Sequence, residues 1–359
     1  MFLISSLENF QHRVYIKKNI VAISTVNSAI IQLKPTNTMS KQLPEHNEAS
    51  LPPQEIIDMF KRTFDDELYG DEEEGLEALQ VQIQEVKSHL YDRDYLGAFD
   101  NDSKRVAYCC RWSPARALGY ASLFAHFEPV VDILTCANKE DQSVLCIGGG
   151  AGAELVAIAS IFTPSRPFVS KYAKKSESES ESEGVESLNV HLVDIADWDS
   201  VTTRLLDQIE KNWLYSNEFD SFKVKPEHRD ILGMDSQALS LPSLNLITLL
   251  FTTNELFKEN KAGSIRFLQQ LNKHCSKGCL LLIVESAGSY SHITVGTKKF
   301  PLQFLIDTIL CGKRGDEDKG DWEVIAQADS TWYRCGTELD YPIKLENMRV
   351  FYRLYRKKT

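Results

Sequence analysis

The chain has 359 residues, a formal net charge of −11, 43% hydrophobic and 25% charged residues. That balance is ordinary for a globular protein of one large or two small domains, and no apolar run approaches the roughly 20 residues of a membrane helix. Eight cysteines are scattered without a C-x-x-C pair or a Cys/His spacing suited to zinc, which reads as reduced thiols in an intracellular protein and gives metal binding no support.

The acidity is local. Residues 65–77 carry eight acids and no base, and residues 176–187 carry five glutamates and no base. Without these two segments the chain sums to +2, so a basic face elsewhere stays open.

Residues 1–38 hold Arg13, Lys17, Lys18 and Lys34 against the single acid Glu8. The segment faintly resembles a mitochondrial presequence, but an upstream extension before a start at Met39 is the simpler reading. Residues 1–51 are therefore expected to be a disordered or non-native extension. From Pro52 a helical apolar pattern appears (Ile56, Ile57, Phe60, Phe64), followed past the acidic stretch by Leu76, Leu79, Ile83, Val86 and Leu90. These belong to a small N-terminal helical appendage over residues 52–104, ahead of a larger domain at 105–359.

The run Arg105–Tyr120 contains Ser113 before Pro114, which reads as an N-cap with proline at the first helical position. Arg111 and Arg116, beside Trp112 and Tyr108, suit either a phosphate and a stacked base or a surface with a buried tryptophan.

Val144-Leu-Cys-Ile-Gly-Gly-Gly-Ala-Gly-Ala-Glu154 organises the chain. A short apolar run ends in glycines and a helical pattern (Leu155, Ile158, Ala159, Phe162) follows. This is a strand, a tight turn that brings backbone close to a ligand, and a helix whose first N–H groups face it. Gly148-x-Gly150-x-x-Ala153 satisfies the dinucleotide fingerprint, whereas Gly148-x-Gly150-x-Gly152 is the spacing of S-adenosylmethionine enzymes.

Residues 164–187 are low in complexity and are expected to be a disordered Ser/Glu-rich insertion. Leu188–Asp194 resumes the sheet and ends in a carboxylate suited to ribose hydroxyls; His191 on this strand reads as structural. Phe222–Leu232 reads as a third strand that brings Asp230 to an adenine amino group or to the surface. Leu244–Phe257 reads as a central parallel strand that delivers Thr252, Thr253, Asn254 and Glu255 to the crevice, although Asn254 and Glu255 equally suit a helix cap. Gly278–His292 is a fifth strand. Trp322–Ala326, Ser330–Tyr333 and Met348–Tyr355 read as closing strands, preceded by a helix over Phe300–Leu310. A hairpin after parallel strands favours S-adenosylmethionine over NAD. Cys146 stands where class I methyltransferases usually place an acid, which leaves the contact to the methionine amino group to Glu285 or Thr252.

The runs Arg111–Tyr120, Leu145–Gly152, Asp194-Ile-Ala-Asp-Trp198, Leu249–Phe257 and Glu285–His292 resemble the fungal 25S ribosomal-RNA uridine-N3 methyltransferases, from about Pro52 to the C-terminus. The resemblance implies a Rossmann-like α/β sheet, mostly parallel with C-terminal antiparallel strands. It implies methyl transfer from S-adenosylmethionine to N3 of a uridine in large-subunit rRNA or a pre-ribosome, with no membrane or metal, in nucleus and cytoplasm. Gly148, Gly150, Gly152, Asp194, Asp230 and Thr252 are the expected cofactor residues. Arg111, Trp112, Arg116, Glu285 and Tyr290 are expected at the substrate. Asn254 is expected to hold the uracil carbonyls, with Glu255 or His292 taking the N3 proton. The alternatives are a non-catalytic ribosome-assembly module of the same fold and an NAD oxidoreductase.

Overall fold

A computed structural model describes residues 41–70, 73–166, 186–215, 218–288, 292–295, 298–313, 315–316 and 319–358. The expectations for residues 1–40 and for most of the Ser/Glu-rich insertion lie outside these residues. The strands are β1 (Lys41–Gln42), β2 (Gln142–Ile147), β3 (Leu188–Asp194), β4 (Phe222–His228), β5 (Leu246–Leu250), β6 (Leu280–Ser286), β7 (His292–Val295), β8 (Lys298–Pro301), β9 (Trp322–Tyr333) and β10 (Met348–Lys357). The helices are α1 (Pro53–Thr63), α2 (Asp65–Tyr69), α3 (Glu73–Asp92), α4 (Tyr95–Ala98), α5 (Asp102–Ala125), α6 (Glu128–Leu134), α7 (Ala153–Phe162), α8 (Asp199–Asn212), α9 (Thr253–Glu259), α10 (Lys261–His274) and α11 (Leu302–Cys311).

Eight strands form one sheet in the order β1-β9-β10-β6-β5-β2-β3-β4. Strands β4, β3, β2, β5 and β6 pair in parallel, and β10 pairs antiparallel with both β6 and β9. A single reversed strand near one edge of a parallel sheet is the class I methyltransferase arrangement expected from the terminal segments. A dinucleotide domain would continue in parallel.

Strand β2 shows why the sheet is covered on both faces. Val144 and Cys146 enter one hydrophobic cluster, with Phe124 of α5, Leu155 of α7 and Val201 of α8. Leu145 and Ile147 enter another, with Phe267 of α10 and Ile306 of α11. The period-2 alternation of a strand sends neighbours to opposite faces. Each fully buried aliphatic side chain contributes about 1.5–3 kcal/mol. Helix α1 packs Ile56, Ile57 and Phe60 into the first cluster. It is tied to the α8 side by the Trp213 indole, which donates to Glu55 at 2.9 Å.

Four local expectations are corrected. Residues 41–51 of the expected disordered extension are ordered: Lys41 and Gln42 pair with β9, and Leu43 is buried in the first cluster. Helix α5 does not begin at Ser113. It starts after Asn101, whose side chain accepts from Lys104 N at 3.0 Å, and runs straight through Pro114. Proline has no N–H for the carbonyl four residues back; that carbonyl, Cys110 O, accepts instead from the Tyr341 hydroxyl at 2.7 Å. The third strand stops at His228, because Asp230 accepts from Leu232 N at 2.9 Å and caps a single turn over Ile231–Gly233. The two segments around Ala326 and Tyr333 form one strand, β9, paired along its length with β10 through two register shifts.

Candidate active site

A cleft of about 550 Å³ opens at the carboxyl ends of β2, β3 and β5. The order reverses at β2, between β3 and β5, and open α/β sheets bind ligands at such a point. The glycine turn forms its floor. Gly148 has φ +77°, a left-handed conformation, and a Cβ there would collide with the Thr252 side chain. At Gly150 the objection is space, because a Cβ would fall into the Trp198 indole. Ser113 of α5 braces the turn by donating to Ala151 O at 2.7 Å.

Aromatic and aliphatic walls stand over that floor. Trp198 packs against Phe99 and Tyr108 with ring centroids 5.0 and 5.7 Å apart. Its indole N–H is buried and turned toward the Asp194 carboxylate, outside ideal hydrogen-bond geometry. Leu96 and Ile195 line the cleft while 71% and 52% exposed. Tyr95, Leu96 and Phe99 come from α4 and its end, so the N-terminal helices build part of the wall. Sequence reasoning missed these residues because no pattern links them to the glycines.

The acids divide by what already engages them. Asp194 accepts from Gly150 N at 3.1 Å and Ala196 N at 3.0 Å, one on each carboxylate oxygen. Each oxygen keeps a lone pair for a ribose hydroxyl. Burial raises its pKa, against those N–H donors. Asp230 lines the same cleft. Thr252 also lines the cleft, but its hydroxyl donates to Ile147 O at 3.0 Å and so props the turn. Glu285 is buried at the end of β6 and accepts from the Asn254 backbone N–H at 3.2 Å and from the Asn254 side-chain amide. These two residues, expected at the uracil, are paired with each other at the start of α9. Burial lifts the Glu285 pKa to about 7.

Besides Asp94 and Glu259, two further carboxyls line the cleft. Glu255 lines the cleft, and burial followed by repulsion from Glu285 and Asp194 pushes it to about 8. Glu154, in the first turn of α7, is 2% exposed and lies within the cleft wall. It accepts from the Thr248 hydroxyl at 2.6 Å, and burial pushes it to about 8. Its Oε2 would stand 3.0 Å from a Cβ at Gly149, as would the Cys146 Cβ. An acid thus stands beside Cys146, supplied by the following helix and not by the strand itself. The only hint in the sequence was an acid two residues past Gly152.

Arg116, with Arg93 and Arg229, is one of three arginines lining the cleft among these acids. It donates to the Tyr108 hydroxyl, and its guanidinium lies 5.0 Å from the Phe251 ring centroid. Burial opposes its charge, but Tyr108, Tyr120 and Glu255 keep the pKa raised. Arg111 is engaged by Glu346 and by Lys344 O at 3.0 Å. Trp112 lies beside Tyr108, centroids 5.0 Å apart. His292 sits in β7 with its side chain outside the described residues, and Tyr290 lies outside them altogether. His191 pairs with Glu227 at 2.8 Å, away from the cleft. Among the described residues no group of three or more His, Cys, Asp or Glu is placed to hold a metal, and no helix is long and apolar enough to cross a membrane.

Residues 60–356 match a family described as "Putative SAM-dependent methyltransferase". The 25S rRNA (uridine(2843)-N(3))-methyltransferase of Saccharomyces cerevisiae is 57% identical over 323 residues, covering 88% of each chain. Among solved structures, N-methyltransferase NodS of Bradyrhizobium japonicum in complex with S-adenosyl-L-homocysteine is 12% identical. It covers 64% of this chain and 84% of its own, with a TM-score of 0.32. An S-adenosylmethionine-dependent methyltransferase of Clostridium acetobutylicum is 13% identical, with 76% and 98% covered and a TM-score of 0.33.

Proposed function

The chain belongs to this S-adenosylmethionine-dependent methyltransferase family, and from that premise we propose that it methylates N3 of a uridine in large-subunit rRNA. The observation that carries the substrate is the likeness to the yeast enzyme, which extends over nearly the whole chain. The cleft carries the cofactor. A turn that admits no Cβ at Gly148 or Gly150 and a buried carboxylate at the end of β3, held by the Gly150 and Ala196 N–H groups, fit S-adenosylmethionine.

In this reading Asp194 holds the ribose, Asp230 the adenine edge and Glu154 the methionine amino group. S-adenosylmethionine supplies an electrophilic methyl on a sulfonium. The chain must supply a nucleophile, and N3 of uridine is a weak acid that has to lose its proton. A positioned general base contributes about 10²–10⁴-fold. Glu255, at about 8 and lining the cleft, has a pKa suited to that task near neutral pH. Asn254 and Glu285 act through each other, fixing the start of α9 and with it Glu255.

The reading is tested by nucleoside mass spectrometry of large-subunit rRNA from cells with and without the protein. Loss of 3-methyluridine, restored by the wild-type chain and not by Gly150→Val, is expected. Unchanged 3-methyluridine overturns the substrate.

A further inference from the structure

A second cavity, of about 270 Å³, lies against the cofactor cleft and shares two of its walls, Arg116 and Phe251. Its other walls include Trp112 of α5, Ser286 at the end of β6, and Arg349 of β10. It is too small for a whole cofactor; sites for drug-sized ligands run about 300–1,000 Å³. Phe251, between the two spaces, has φ +61°. A bulky aromatic in the left-handed region is strained and is kept where the position matters.

From this cavity outward, one end of the closing hairpin is built from arginine and tryptophan. The Arg334 guanidinium stands 4.8 Å from the Trp332 ring centroid and that of Arg349 stands 6.0 Å from it. Arg349 also donates to Ser330 at 2.9 Å. Both arginines are exposed, and neither is paired with a carboxylate among the described residues. In a chain of net charge −11, most arginines near an acid are taken: Arg111 by Glu346, Arg353 by Asp329 and Arg356 by Glu323. Two exposed, uncompensated cations flanking an indole suit a polyanion with flat, stackable groups, which describes single-stranded nucleic acid.

We propose that the second cavity receives the target base of a single-stranded RNA segment and that Trp332, Arg334 and Arg349 carry the strand leading into it. The inference rests on the uridine reading above and adds where the acceptor enters. The geometry meets a demand of the reaction: acceptor and donor must come within about 3–3.5 Å, which needs adjoining spaces. The base enters beside Trp112 and Phe251, Arg116 faces both donor and acceptor, and Arg349 lies where the rim meets the phosphates.

The test uses the full chain with three probes. Fluorescein-labelled oligouridylate reports RNA affinity by anisotropy across salt concentrations. S-adenosylhomocysteine reports the cofactor cleft by calorimetry. Large-subunit rRNA from cells lacking the protein reports the KM of methyl transfer. Trp332→Leu should weaken oligouridylate about tenfold. The Arg334→Ala/Arg349→Ala double variant should flatten the slope of log affinity against log salt by about 0.7 per arginine that meets a phosphate. It should raise the KM for rRNA and leave S-adenosylhomocysteine binding unchanged, which also reports an intact fold. Arg349→Lys should keep the salt slope.

Wild-type oligouridylate affinity and salt slope in the double variant overturn the proposal, as does a wild-type protein that ignores oligouridylate. If rRNA is methylated and the variants match wild type, the uridine reading stands and the RNA track falls. If no rRNA is methylated but the variants lose oligouridylate affinity, the track stands and the uridine reading falls.

Discussion

The Thr248 hydroxyl on β5 donates to the Glu154 carboxylate at 2.6 Å, on the face of the sheet covered by the helix that follows the glycines. This bond holds a buried acid against the glycine turn, on the side where Cys146 leaves no charge. Glu154→Gln keeps the shape and removes the charge; it should weaken both S-adenosylmethionine and S-adenosylhomocysteine by about 10–100-fold, the scale of one charged hydrogen bond. Thr248→Val removes the donor alone and should have a smaller effect in the same direction. Calorimetry with both ligands decides, and unchanged affinities in Glu154→Gln would take this residue out of the site.

The cleft acids also predict a pH dependence. Glu154 and Glu255 are pushed to about 8 and Glu285 to about 7 by burial. In the empty protein they hold more protons than in the unfolded chain, so the stability of the unliganded protein falls as pH rises from about 4.5 and levels off above about 8. A sulfonium cation favours the ionised forms. S-adenosylmethionine should therefore bind with proton release and more tightly as pH rises through that window. S-adenosylhomocysteine, which lacks the positive charge, should show a shallower slope. Calorimetry at pH 7.5 in two buffers of different ionisation enthalpy counts the protons; equal counts for the two ligands would contradict the argument.

How far the site could be read from the chain depended on whether its residues are local. The glycine turn, Asp194 and the apolar run before Thr252 follow from periodicity and from strand ends, and they lie where those signals put them. Ser113-Pro114 misled because a proline inside a helix is ordinarily expelled by its missing N–H. Here the freed Cys110 carbonyl finds Tyr341, more than 200 residues away, and no local pattern carries that. Glu154 was overlooked because the expected acid was sought on the strand, and Leu96 and Trp198 because their common wall is made only by folding.

Tyr341 gives a test of that correction. Tyr341→Phe should leave Cys110 O without its donor next to Pro114 and lower stability by about 1–3 kcal/mol, read as a shift in the denaturant midpoint at constant slope. Affinity for S-adenosylhomocysteine should change little, since Tyr341 lies outside the cleft. No loss of stability would mean that the carbonyl is served equally well by water.

Gly150 separates crowding from electrostatics. A Cβ there meets the Trp198 ring, so Gly150→Val should abolish cofactor binding and Gly150→Ala should weaken it strongly, with no titratable group changed. Pairing Gly150→Ala with Trp198→Leu frees room for the methyl group and should recover part of the affinity. Normal affinity in Gly150→Val would mean that the glycine turn is not where S-adenosylmethionine binds.

The base assignment turns on two residues that can be distinguished by substitution. If Glu255 takes the N3 proton, kcat/KM for rRNA should rise with pH and level off near 8, where its carboxyl ionises. Glu255→Gln should then remove the rise and lower kcat by about 10²–10⁴-fold while cofactor affinity persists. If His292 is the base, the rise should survive Glu255→Gln. It should vanish in His292→Ala. Should both variants keep wild-type rates with cofactor bound, proton removal falls to neither, and Arg116, the cation shared by the two cavities, becomes the group to change next. By stabilising a uracil anion, that guanidinium could lower the N3 pKa enough for solvent to take the proton.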